Sequence, residues 1–192
     1  MATLIDSLVL SSTYNTLPLI SHVAAAPKDQ YHDLQDLRQL LHKHNVPKGV
    51  SVRLIHKHFD TTDGEVMVFD KIPVPGHGSV KIMKPTVPPK NHQLQGIHYF
   101  VDGDASLQAY EYGVCNVPDM SGFESFLAEF CDLVSERGLQ RIFGLKLQCE
   151  DDADQTGWTE VDRDLQGTPE DVQTQYNLQA RANHLQALQT LQ

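Results

Sequence analysis

At Gly49 the apolar spacing of the chain changes from the helical period to a period of two, and it holds as far as Gly113. Val50, Val52 and Leu54 alternate with Ser51 and Arg53, and side chains spaced this way face opposite sides of a strand. Asp63-Gly64 is a turn signal leading into "EVMVF". It predicts a hairpin between Val50–Leu54 and Glu65–Phe69. "SVKIM" (79–83) is the next strand, isolated by Pro73, Pro75, Gly76 and Gly78 before it and by Pro85, Pro88 and Pro89 after it. "GIHYFV", Asp102-Gly103 and "SLQAYEY" form a second hairpin. Residues 49–113 therefore read as about five antiparallel strands.

Helical patterns bracket this region. Residues 28–45 place Tyr31, Leu34, Leu37 and Leu41 at helical spacing, with Asp29, Asp33 and Asp36 near the start and Asn45 and Pro47 at the end. Ser121 and Glu124 have the spacing of a capping box. The stripe Phe123, Phe126, Leu127, Phe130 and Val134 then runs to Gly138. Phe143, Leu145 and Leu147 alternate as a further strand, and Trp158–Val161 reads as an edge strand. From Thr168 a Gln-rich helix carries Leu178, Ala182, Leu185 and Leu188 along one line. The expected class is α+β: an antiparallel sheet of about five to seven strands packed by helices, with a C-terminal helix. An arm (1–27), one domain (28–163) and a helical tail (164–192) are the expected parts.

Charge narrows the function. The chain has 25 acidic against 15 basic residues, a formal charge of −10. No basic run offsets it, which argues against nucleic-acid partners. No apolar run reaches the roughly 18 residues of a membrane span. The apolar start lacks a basic region and carries Asp6, which argues against a signal peptide. Cys115, Cys131 and Cys149 are too widely spaced for a zinc ribbon or a thioredoxin motif. Their small number and odd count predict reduced thiols and a cytoplasmic protein.

The chemical lead is "LIHKHFD", Leu54 to Asp60. If the strand continues, His56 and His58 extend the row of Val50, Val52 and Leu54 and emerge on the core side. Buried imidazoles need hydrogen-bond partners or a metal. His56 and His58 are therefore the candidate catalytic residues, as general acid and base. For a divalent transition metal the candidate ligands are His56, His58, Glu65 and His98, with Asp60, Asp63 and the more distant His77 as further donors. Met67, Phe69 and His98 are expected to wall the pocket. The bland alternative is one histidine bonded to a core carbonyl and the other at the sheet rim, or the opposite row facing inward.

The order Gly49, His56, His58, Glu65 resembles the first cupin motif, but six residues separate His58 from Glu65. Asp63 stands nearer the carboxylate position, and the second cupin motif is missing. The stretch "GVSVRLIHKHFDTTDGEVMVF" (Gly49–Phe69), most specifically His56-x-His58-Phe59, resembles a group of fungal proteins, and the likeness extends through Ser121–Leu147. That resemblance implies no activity. There is no P-loop, G-x-G-x-x-G or G-x-S-x-G. "CEDDAD" (149–154) lacks the glycine and spaced oxygens of a calcium loop. Two classes follow. One is a small enzyme or binding protein with a His56-x-His58 pocket for a small-molecule ligand. The other is a non-catalytic interaction module whose arm and tail helix are contact surfaces, the tail joining copies of the chain.

Overall fold

The computed structural model describes residues 2–74, 78–88, 94–103 and 106–149, and side chains for all of these except 71–74 and 78–81. The described residues up to Ile72 and from Lys81 onward belong to one compact unit. The expected edge strand at 158–161, the tail helix, its boundary at 164 and His77 all lie outside the described residues.

The class is α+β, as the strand run between helices predicts. The order is β1 (Leu4–Ile5), α1 (Ser11–Tyr14), α2 (Ile20–Val23), α3 (Ala26–Asp29), α4 (Tyr31–Lys43), β2 (Val50–Leu54), β3 (Val66–Val74), β4 (Gly78–Thr86), β5 (Gln95–Asp102), β6 (Ser106–Gly113), α5 (Glu124–Glu136) and β7 (Phe143–Leu147). The sheet runs β2-β7-β5-β6-β3-β4, with β1 pairing β6. It is mixed and mostly antiparallel, because β1 and β3 both run parallel to β6.

The hairpin at Asp102-Gly103 forms as β5 and β6. The one expected at Asp63-Gly64 does not. β2 pairs with β7, from Val50↔Leu147 to Leu54↔Phe143. Residues beyond β2 spend their hydrogen bonds on the N-terminal arm instead. The Lys57 N–H donates to Pro18 O at 2.9 Å. The Thr61 N–H donates to Asn15 Oδ1, and Asn15 Nδ2 returns a bond to Thr61 O, each 2.9 Å. With those donors satisfied, the segment has no ladder to offer β3.

The helices follow their apolar stripes with local corrections. α4 buries Leu34, Leu37 and Leu40, while Tyr31 is exposed. No capping box forms at α5, whose N-cap is Phe123. Ser121 turns back instead, donating its N–H and its hydroxyl to the Asp119 carboxylate. Asn45 and Gly138, each just past a helix end, take positive φ, the left-handed stop that closes many helices.

The expectation of three reduced thiols is corrected for two of them. Cys115 and Cys149, 34 residues apart, form a disulfide; Cys131 is a buried free thiol. Cys115 follows β6 and Cys149 follows β7, strands that have β5 between them in the sheet. No described helix is long and apolar enough to cross a membrane.

Among the described glycines, Gly144 lies closest against its neighbours. A Cβ there overlaps the carbonyl oxygen of Tyr99 and lies 3.1 Å from Ile55 Cγ1. A Cβ on Gly103 meets nothing within 4 Å. Gly144→Ala is therefore expected to cost about 2 kcal/mol or more of unfolding free energy in urea, an overpacking penalty. Gly103→Ala should fall within about 0.5 kcal/mol of the parent, and equal stabilities for the two variants contradict this packing.

Candidate functional site

Directly paired residues on neighbouring strands share a face of the sheet. Ser51↔Lys146, Lys146↔His98, His98↔Glu111 and Glu111↔Met67 form such a row through β2, β7, β5, β6 and β3. The β5–β6 register shifts on both sides of His98. Bulges of this kind re-aim side chains, and here they bring His98 and Glu111 opposite each other in the buried middle of the two strands.

Glu111 is the centre of the site. Its side chain is wholly buried, and a buried carboxylate requires compensation. His98 Nδ1 bonds Oε2. Arg53 Nη2 lies 3.8 Å from Oε2, and His58 Nε2 lies 3.6 Å from Oε1. The Tyr14 hydroxyl donates to Oε1 at 3.3 Å and accepts the His58 backbone N–H at 3.3 Å. His56 packs against His58 with ring centroids 4.6 Å apart, and its Nδ1 meets Leu54 O at 3.1 Å.

The two histidines do converge, but not by strand parity. β2 ends at Leu54. Arg53 belongs to the row opposite Val52, yet its Nη2 reaches His58 Nε2 at 3.5 Å. The chain turns out of the sheet after Ile55, whose N–H is taken by Ile142 O. His58 consequently meets residues of the Ser51–Arg53 face rather than continuing the valine row.

His58 Nε2 stands between a donor, Arg53 Nη2, and an acceptor, Glu111 Oε1. A neutral ring accepts from the guanidinium; a protonated ring faces the carboxylate. Both protonation states therefore have a partner, as acid–base work requires. Burial, then the Arg53 charge, push the His98 pKa down to about 3 against the opposing pull of Glu111. His98 is a neutral donor through Nδ1–H, and its Nε2 has no partner among the described residues. Burial alone raises the Glu111 pKa, but His98, Arg53 and His58 outweigh it and hold the carboxyl below its ordinary range. Burial, then Glu111, raise Tyr14 far above a normal phenol, so it stays protonated.

A cleft of about 520 Å³ opens at His58, between the arm (Leu17, Pro18, Leu19, His22) and Lys57–Asp60. His58 thus lines the cleft while touching the buried carboxylate. The expected pocket walls are elsewhere: Met67 is fully buried, and Phe69 stands edge-on to His98 at 5.2 Å. The four proposed metal ligands do not converge. Glu65 binds the Thr62 N–H on the surface, and no group of three or more His, Cys, Asp or Glu among the described residues is placed to hold a metal ion.

Glu111, Arg53 and Tyr14 were not foreseen. Glu111 had a readable signal, a lone carboxylate in "SLQAYEY" among strand residues fit for burial. Tyr14 had none, because its role depends on where the arm docks. No family model, no curated protein and no solved structure matches the chain.

Removing the charge at Glu111 takes a buried carboxylate from His98, His58 and Arg53 at once. Glu111→Gln should destabilise the fold by about 3–5 kcal/mol, and Tyr14→Phe, which deletes one neutral donor, by about 1 kcal/mol. Acid should act in the same direction. An unfolded histidine takes a proton near pH 6.5, while folded His98 resists until about pH 3. The unfolded state binds more protons between these values, so stability falls as the pH drops through that window. Glu111 adds a further loss below the ordinary carboxylate range. Urea midpoints that stay flat from pH 7 to about pH 4 contradict this account of the cluster.

Proposed function

We propose that the cleft at His58 is a small-molecule site in which His58 works as a general acid and base, oriented by Glu111 and Arg53. The observation that carries this reading is the double position of His58, on the cleft wall and against a fully buried carboxylate. A buried ion cluster reaching a cleft through one imidazole is the kind of arrangement that functional sites use. Glu111 supplies the charge that stabilises an imidazolium, and Arg53 supplies the donor that favours the neutral ring. His56 packs the ring in place and stands one step back from the chemistry.

Metal chemistry is the less supported branch of the sequence reading, since Glu65 is turned to the surface. The disulfide bears on location. Such bonds persist in oxidising compartments and are rare in the cytosol, so Cys115–Cys149 weighs against the expected cytoplasmic placement. The interaction-module alternative keeps one anchor in the arm, where Leu8 and Leu10 are exposed.

Titrating a library of small polar fragments into isotope-labelled protein tests the reading. Fragment-induced NMR shifts are expected at the side chains of His58 and Phe59 and to vanish in His58→Gln with the rest of the spectrum preserved. Shifts confined to other surfaces overturn it. Absence of any binder, together with a changed sedimentation coefficient in Leu10→Ser, decides for the interaction module.

A further inference from the structure

The donors at the cleft go further than its position. In a chain carrying −10, Lys57, His22 and His58 line one cleft with a single carboxylate, Asp60. That carboxylate is already engaged with Lys57 at 2.6 Å.

Lys57 is held for a purpose its two contacts do not exhaust. Its Nζ donates to Asn15 O at 2.8 Å and to Asp60 Oδ1 at 2.6 Å. An ammonium has three donors, so one remains uncommitted among the described residues. The side chain is only 17% exposed while that of Asp60 is 72% exposed. The cation is therefore partly withdrawn from water and fixed in direction, and its anion is largely solvated. His22, on α2 across the cleft, has an imidazole with no partner among the described residues. The remaining lining is Thr16, whose hydroxyl is spent on Thr13 O, and the apolar Leu17, Pro18, Leu19 and Phe59. A volume of about 520 Å³ is that of a small-molecule site.

We propose that the cleft takes a small organic monocarboxylate with an apolar body, its carboxylate meeting Lys57 and His22 beside His58 and its hydrocarbon lying on Leu17, Leu19 and Phe59. This rests on the small-molecule reading of the same cleft and names its ligand class. A single negative charge matches one uncommitted ammonium donor. A dianionic phosphate adds a second charge that Asp60 and Glu111 oppose, and a cationic ligand meets Lys57.

The test uses four probes that share one ring and differ in the head group: phenylacetate, phenylacetamide, benzylamine and phenyl phosphate. Calorimetry of the full chain reads the affinity of each. Phenylacetate is expected to bind at least tenfold more tightly than the amide, a gap of about 1.4 kcal/mol. His22→Gln, a change at an exposed side chain, should weaken phenylacetate several-fold and leave the amide unchanged. Amide, amine or phosphate binding as well as or better than phenylacetate overturns the ligand class while the cleft stands as a binding site. The class also falls if phenylacetate binds with no loss in His22→Gln. Failure of all four probes to shift Phe59 and His58 resonances at millimolar concentration removes both the class and the cleft reading.

Discussion

A carboxylate sealed inside a sheet organises this protein. Water is excluded from Glu111, so its charge is tolerable only where donors surround it. Those donors come from four places in the chain: Tyr14 from the arm, Arg53 from β2, His58 from the segment after it, and His98 from β5. The electrostatic need of one residue therefore ties the arm and the turn after β2 to the centre of the sheet. The cleft is a consequence. The arm lies where Tyr14 anchors it, and its next residues, Thr16 to Leu19, become one wall.

The same constraint accounts for the departures from regular sheet geometry. Two register shifts flank His98 and bring it opposite Glu111. β2 stops at Leu54, and the chain leaves the sheet so that His58 reaches a carboxylate two strands beyond its neighbour β7. A second polar clamp secures the start of the arm. The Tyr99 hydroxyl donates to Asp6 at 2.6 Å, and the Tyr112 hydroxyl accepts the Val9 N–H at 2.8 Å. Burial raises Tyr112 to about 12 and Tyr99 further still, so both phenols remain donors at any ordinary pH. Strands β5 and β6 thus carry apolar packing, a buried ion cluster and the docking of the arm together.

Legibility followed the range of the interaction. The Asp102-Gly103 hairpin depends on a turn and its two flanking runs, and it was readable. The helix stripes at Leu34, Leu37, Phe126 and Phe130 were readable for the same reason. The Asp63-Gly64 turn carried an equally clear signal, and Gly64 does take a positive φ. It failed as a hairpin because Asn15 and Pro18, more than forty residues upstream, took the hydrogen bonds of the segment. The histidine pair was found for a reason that proved only partly right. Its rings meet, yet strand parity did not bring them together. Cysteine spacing pointed to free thiols, whereas the fold joins two of the three across an intervening strand.

From its residues alone the chain was committed to the α+β class, to helices before and after a run of strands, and to His56 and His58 as its chemical lead. Those are local properties, set by side-chain period and by the scarcity of imidazoles in apolar runs. The folded molecule decided which strands pair, that Glu111 receives His58, His98, Arg53 and Tyr14, and that a cleft opens on the far side of His58. Such outcomes depend on contacts between residues far apart in the chain, Tyr14 and Glu111 being 97 apart. They are settled by competition for hydrogen bonds and by the cost of burying charge, and no local pattern records either.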